Sequence, residues 1–151
     1  MVRLPAVDLG IMAEHITAHI GAINKLELYQ DKVTINKLKE IIQLQANTMR
    51  VHVNTMLALI NPYHHGDIEL PSLDTINAVR SHISNHMAYR GETDNKWITL
   101  EAHTTAEFMS NDNYSSALMM KDQNVRHIHV EMGLQQFQIM EMYTTFMEQM
   151  G

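Results

Sequence analysis

Apolar residues recur at steps of three and four along three long stretches of this chain, which is the spacing of one helix face. In the first stretch they are Leu9, Met12, Ile16, Ile20 and Ile23. The second and last stretches keep this spacing but place polar side chains at some of its positions. Their members are Ile35, Leu38, Ile42, Gln45, Met49, His52, Met56 and Leu59, then Val125, Ile128, Met132, Gln135, Ile139, Met142 and Phe146. Such a seam is typical of helices packed at shallow angles.

The three prolines, at positions 5, 62 and 71, mark boundaries between helical stretches, because proline interrupts helices. We therefore predict two helical hairpins, 8–60 and 94–150, separated by a loop and a shorter helix within 61–91. The predicted fold is all-α: a ferritin-like antiparallel helical bundle of four long helices plus one shorter helix, forming a single domain over 1–151.

Local signals place the ends of these helices. The first hairpin should break near Gln30 and Asp31, and the second near Lys121 and Asp122, with the two aspartates as N-caps. Ser72 or Asp74 should cap the shorter helix, which should end near Arg90-Gly91. The run Asn111-Asp112-Asn113 favours turns and predicts a kink in the fourth helix.

Composition narrows the functional classes. The chain has 11 Lys and Arg against 17 Asp and Glu, a net charge of −6, which disfavours binding to nucleic acid or an anionic membrane. With no cysteine, disulfides and thiolate metal sites are excluded. No apolar run is long enough to span a membrane, and the first residues do not resemble a signal peptide. We expect a protein made in the cytoplasm without a signal peptide.

The usual ferritin-like di-iron site is not predicted. That site needs Glu-x-x-His on two helices, and no glutamate in this chain is followed three residues later by histidine. We also find no nucleophile elbow and no glycine-rich phosphate loop. The sequence gives no support for an enzyme.

The spacing of the histidines is compatible with a different kind of metal site. His15 and His19, His82 and His86, and His103 and Glu107 are each four residues apart, and such pairs can chelate zinc or copper from one helix face. With His52, these seven residues are the candidate ligands, and zinc, copper or iron the candidate ions.

A structural interpretation competes with the metal site. His19, His52, His86, Gln45 and Gln135 lie at seam positions, where each must find hydrogen-bond partners or lose about 1–3 kcal/mol. In this interpretation they bond to one another or to water and fix the helix register. A further alternative is a pH-sensitive bundle that responds near pH 6.

Two other histidine-containing segments are interpreted as surface. On a helix, the polar residues of the stretch 127–131 fan outward and predict a solvated face. His64 and His65 lie in the loop between Pro62 and Pro71 and are expected to be surface residues of a turn.

The last third of the chain carries a family resemblance. His103-Thr-Thr-Ala-Glu107-Phe-Met-Ser-Asn-Asp-Asn-Tyr114-Ser-Ser-Ala117 leads through Lys121-Asp122-Gln-Asn-Val-Arg126 into a helix rich in Met and Gln. This pattern resembles the spore coat F (CotF-like) family of endospore-forming bacteria. The first hairpin, with Glu14-His15 and residues 31–38, resembles the same unit.

The resemblance implies a non-catalytic structural or assembly protein associated with the bacterial spore coat, with no cofactor. Its partners would be other coat proteins or itself, through Met-rich faces that include Met140, Met147 and Met150. The chain departs from the family in its 13 Met and 10 His, and in lacking a cross-linking tail. The alternative function is a non-ferroxidase, metal-binding helical bundle that uses interhelical histidines.

Overall fold

The computed structural model describes residues 3–78 and 92–151. Within these ranges the helices are α1 (Ala6–Lys32), α2 (Asn36–Ile60), α3 (Leu73–Ala78), α4 (Glu92–Ala117) and α5 (Gln123–Met150), and no strand occurs. Helices are the only regular secondary structure in these ranges, so the all-α prediction is confirmed.

The long helices pack side by side in opposite directions. α1 contacts α2 and α4, and α5 contacts the same two helices. Contacts along each pair run in opposite chain order, as shown by Lys25–Glu101 and His15–Asp112 for α1 and α4, and by Gln45–Tyr143 and His52–Gln135 for α2 and α5. Since α2 and α4 are each antiparallel to α1, they are parallel to each other, and residues 61–91 lie between them in the sequence.

Two apolar clusters fill the interior. The larger one includes Leu26, Ile42 and Tyr143, and the smaller one Met12 and Met56. On α1, α2 and α4 the buried residues between the two clusters are polar except for Ala117, and the polar ones are His15, His19, His52, Thr55, Asn113 and Ser116. The apolar core is therefore divided by polar side chains near its middle.

The connection between α1 and α2 differs from the prediction. α1 continues to Lys32, so Asp31 lies inside it, and the residue before α2 is Ile35, whose side chain makes no capping bond. Asn95 of α4 holds this turn instead, because its side chain accepts from Thr34 N and donates to Thr34 Oγ1. The prediction that Asp31 caps α2 was wrong, since the stabilising contact comes from a residue distant in sequence.

The connection between α4 and α5 contains Lys121 and Asp122, where the second hairpin was predicted to break. Asp122 accepts a hydrogen bond from Val125 N at 3.0 Å and caps α5. Arg126 donates to the carbonyls of Met120 and Lys121. The fully buried carboxylate of Asp8 accepts from the backbone N–H groups of Lys121 and Asp122 at 3.0 and 2.9 Å. These bonds fasten the start of α1 to the turn between α4 and α5.

α4 is one continuous helix through Asn111-Asp112-Asn113. Asn113 is 1% exposed and Asp112 contacts His15 on α1, so these residues take part in tertiary packing rather than ending the helix.

Most of the predicted seam is buried, but Ile20 and Met142 are 48% and 38% exposed. The prediction that Ile20 and Met142 belong to the buried seam was wrong, because a strict a/d repeat drifts around a straight helix.

The shorter helix is capped by Ser72, whose hydroxyl accepts from Thr75 N at 3.2 Å. Its described part ends at Ala78. The predicted end near Arg90-Gly91 and the candidate ligands His82 and His86 lie outside the described residues.

We predict that Asp8→Ala lowers the free energy of unfolding by about 2–4 kcal/mol, because it leaves two N–H groups without an acceptor. Urea denaturation followed by circular dichroism measures this change. The control is Asp31→Ala, on an exposed position of the same helix, which should change stability by less than ~0.5 kcal/mol. Equal effects of the two variants would contradict the assigned role of Asp8.

Candidate metal centre

Four buried histidines from three helices lie next to one another in the bundle. The ring centres of His15 and His129 are 5.3 Å apart, those of His19 and His52 are 5.9 Å apart, and those of His15 and His19 are 6.3 Å apart. None of the four side chains belongs to a residue more than 5% exposed. We call His15, His19, His52 and His129 the histidine layer.

One ring nitrogen of each histidine is held by an oxygen. His19 Nδ1 and His129 Nδ1 donate to the carbonyl oxygens four residues earlier, at 2.7 and 2.8 Å. His52 Nε2 donates to Gln135 Oε1 at 2.7 Å. His15 Nε2 lies 3.0 Å from Asp112 Oδ2 and 3.1 Å from Ser116 Oγ.

The chemistry of these acceptors assigns the tautomers. A carbonyl or carboxylate oxygen only accepts, so the nitrogen facing it carries the proton and the other nitrogen of a neutral ring carries a lone pair. The side chain of Gln135 is oriented by its amide nitrogen, which donates to Pro71 O at 2.8 Å. His15 and His52 are therefore protonated at Nε2, and His19 and His129 at Nδ1.

The second nitrogen of every ring is buried and has no hydrogen-bond partner among the described residues. These atoms are His15 Nδ1, His19 Nε2, His52 Nδ1 and His129 Nε2. Within the same described ranges, the buried polar atoms of Thr48, Asn113 and Gln136 also lack a protein partner. Since a buried, unpaired polar group costs about 1–3 kcal/mol, such a concentration calls for an explanation.

Burial keeps the four rings neutral. Removal from solvent lowers the pKa of His19 and of His129 to about 4, and that of His52 to about 3. Burial also lowers the pKa of His15, although the nearby Asp112 carboxylate opposes that shift. At neutral pH each lone pair is therefore unprotonated, as binding to a metal requires. The alternative of a pH-sensitive bundle requires histidines that titrate near pH 6, and the pKa values of His19, His52 and His129 lie below that pH.

The structure brings together three of the seven predicted ligands, His15, His19 and His52. His103 lies elsewhere on α4, where its Nε2 is 3.2 Å from Thr144 Oγ1 and its Nδ1 is 3.9 Å from the exposed Glu107. The pair His82 and His86 falls outside the described residues. The interpretation of His64 and His65 as turn residues agrees with their exposure.

The fourth member of the layer, His129, was missed. We expected the stretch 127–131 to be a solvated face, and that prediction was wrong for His129, which is 0% exposed. Its position, four residues after Val125 and three before Met132, placed it beside the predicted seam. A wider apolar stripe, as in a helix buried against two neighbours, would have included it.

The structural interpretation holds for the seam glutamines. Gln45 accepts from Tyr143 Oη at 2.6 Å and donates to Ala102 O at 3.3 Å, linking α2 to both α5 and α4. Gln135 bonds to His52 and Pro71. The histidines behave differently, since each has one nitrogen left without a protein partner in the described residues.

No family model, curated protein or solved structure matches this chain. Among the described helices, none is both long and apolar enough to cross a membrane. In residues 3–78 and 92–151, no three His, Asp or Glu side chains are already arranged around one metal position. The closest approaches in the histidine layer are between pairs of rings.

We predict that stability falls as the pH drops below about 6.5. In that range unfolded histidines take up protons, whereas His129 stays neutral in the folded state down to its pKa of about 4. The unfolded state then binds more protons and gains stability as acid is added. His129→Leu should reduce the slope of unfolding free energy against pH by on the order of 1 kcal/mol per pH unit.

Urea denaturation between about pH 7 and pH 5 measures this slope, and comparing variants cancels the carboxylates common to both proteins. His64→Leu, at an exposed loop position, should leave the slope unchanged. Identical slopes for the wild type and His129→Leu would show that His129 is not a buried neutral histidine.

Proposed function

We propose that this protein binds a transition-metal ion through the histidine layer, without ferroxidase chemistry. The observation that carries the proposal is the matched state of the four rings, each with one nitrogen held by an oxygen and the other buried without a partner in the described residues. Metal-binding histidines are typically arranged in this way, because the outer hydrogen bond fixes the tautomer and aims the lone pair.

The spacing of the rings supports the proposal. A metal–nitrogen bond of about 2.0 Å places the centres of two imidazoles on one ion roughly 5–6 Å apart. The pairs His15–His129 and His19–His52, at 5.3 and 5.9 Å, fall in this range. Each pair joins two helices, so an ion bound between the rings would also connect those helices.

The helix arrangement supports a ferritin-like bundle as the scaffold. Ferritin-like folds have one long crossover connection and build metal sites from side chains on facing helices. Here two antiparallel hairpins are joined by the long connection 61–91, and α1, α2 and α5 carry the histidine layer. The donors differ from those of the di-iron proteins, since the layer consists of imidazoles rather than glutamates.

We predict that a bound ion raises the melting temperature of the wild-type protein. At a hundredfold excess over its dissociation constant, binding adds about 2.7 kcal/mol to the free energy of unfolding. Elemental analysis of purified protein and calorimetric titration of the metal-stripped protein measure stoichiometry and affinity. His129→Leu should abolish the stabilisation, and His65→Leu, in the exposed loop, should retain it.

The stability of the metal-free variants distinguishes a metal ligand from a residue that holds the helices together. His129 Nδ1 bonds to a carbonyl of its own helix, so replacing His129 breaks no hydrogen bond between helices and removes an unpaired nitrogen. At neutral pH, metal-free His129→Leu should therefore be as stable as the wild type, within about 1 kcal/mol. A loss of more than about 3 kcal/mol, with no metal bound by the wild type, would instead favour the structural role.

A second candidate function is a structural protein of the spore coat. It is supported by the roles of the residues that carry the family resemblance, because Asp122 caps α5 and Arg126 holds the preceding turn. These contacts hold the fold together, as expected for a non-catalytic assembly protein, and the proposed partners are other coat proteins or further copies of this chain.

We predict that a tagged copy, expressed from its native promoter in an endospore-forming bacterium, appears during sporulation and fractionates with the spore coat. Fluorescence microscopy and immunoblots of coat extracts measure this distribution. Uniform cytoplasmic fluorescence in growing cells, with none on spores, would contradict the coat assignment while leaving metal binding unaffected.

A further inference from the structure

Three buried methionines accompany the histidine layer. Met12, Met56 and Met132 are all 0% exposed and belong to the smaller apolar cluster. Each is three or four residues from a layer histidine on its own helix: His15, His52 and His129, respectively. Since residues at this separation are neighbours on a helix face, a methionine lies within one helical turn of three of the four layer histidines.

The donors of the layer are all uncharged. Imidazole nitrogens and thioether sulfurs carry no formal charge, and neither do the unpaired groups of Thr48, Asn113 and Gln136. The burial cost of an ion rises steeply with its charge, so a site without anionic ligands favours a monovalent ion over a divalent one.

Three carboxylates interact electrostatically with the layer, and one of them, Glu14, is exposed to solvent. Asp112 contacts the outer nitrogen of His15, and its side chain is 39% exposed. Asp8 is buried, but both of its oxygens accept backbone N–H bonds from Lys121 and Asp122. These two groups can balance one positive charge from a distance but do not act as ligands in this arrangement.

We propose that the ion held by the histidine layer is Cu(I), a soft monovalent cation, rather than Zn(II). This inference rests on the proposed function and names the ion. Thioether ligands select Cu(I), and imidazole also suits copper. Zinc generally requires four ligands in a tetrahedral arrangement, whereas Cu(I) is satisfied by two or three soft donors.

The ring pairs fit this low coordination number. His15 and His129 supply two unpaired nitrogens on rings 5.3 Å apart, and His19 and His52 supply two more on rings 5.9 Å apart. Ring centres 5.3 Å apart correspond to a bent rather than a linear arrangement of two nitrogens about an ion, so a neighbouring methionine would supply the third donor of a three-coordinate Cu(I). We place the ion between His15 and His129, the closest pair, with Met12 and Met132 as the candidate sulfur donors.

The test compares the binding of Cu(I) and Zn(II) to the full chain. Cu(I) affinity is measured anaerobically by competition with a chromogenic chelator, Ag(I) serves as a redox-inert probe, and Zn(II) is titrated in parallel. Met12→Leu and Met132→Leu replace each thioether with an apolar side chain of similar volume. Met150→Leu, at a position that is 58% exposed, is the matched control.

We expect the wild type to bind Cu(I) and Ag(I) more tightly than Zn(II). The double variant Met12→Leu/Met132→Leu should weaken Cu(I) and Ag(I) by about tenfold or more while leaving Zn(II) nearly unchanged, and Met150→Leu should match the wild type. Circular dichroism confirms that the variants fold.

Two results would overturn the inference, and they are distinguishable. Tight Zn(II) binding that depends on His129, with no preference for Cu(I) and no effect of the methionine variants, would reject copper but leave the proposed metal function intact. Binding of none of the three ions to the folded wild type would reject both proposals.

Discussion

The central constraint on this bundle is the hydrogen-bond state of four imidazoles placed in its interior. Each ring has one nitrogen fixed by an oxygen and a second nitrogen that no described protein atom satisfies. A bundle that needed only stability would fill these positions with apolar side chains, because unpaired buried polar groups are destabilising. Retaining four of them together is understandable if their lone pairs have a ligand to bind.

The surrounding structure supplies the rigidity that such a site needs. Above and below the polar residues, the two apolar clusters hold the helices together. Gln45 links α2 to α4 and α5, while Asp8 fastens α1 to the turn before α5. The fully satisfied polar groups thus fix the scaffold, and the partly satisfied histidines are left as the chemically available ones.

The sequence predicted the fold class better than it predicted the details of the site. Helical periodicity located α1, α2 and α5, since each buries residues spaced three and four apart, and Asp122 and Ser72 were recognisable as caps. The turn at Thr34 was not predictable, because Asn95, 61 residues away, stabilises it. Long-range contacts of this kind leave no local signal.

Three of the predicted ligands, His15, His19 and His52, met in space because they lie on or beside the apolar seam. His129 was missed because a strict heptad frame is narrower than the buried face of α5. Spacing alone wrongly grouped His103 and Glu107 with them, since residues four apart on one helix share a face that need not point toward the core. Which helix faces meet depends on tertiary packing, and single-helix patterns do not contain that information.

Long-range ¹H–¹⁵N NMR of the histidine rings in metal-free protein at neutral pH tests the central claim most directly. The account predicts four neutral, fixed tautomers, with His15 and His52 protonated at Nε2 and His19 and His129 at Nδ1. Rings that are doubly protonated, or that exchange rapidly between tautomers, would contradict it.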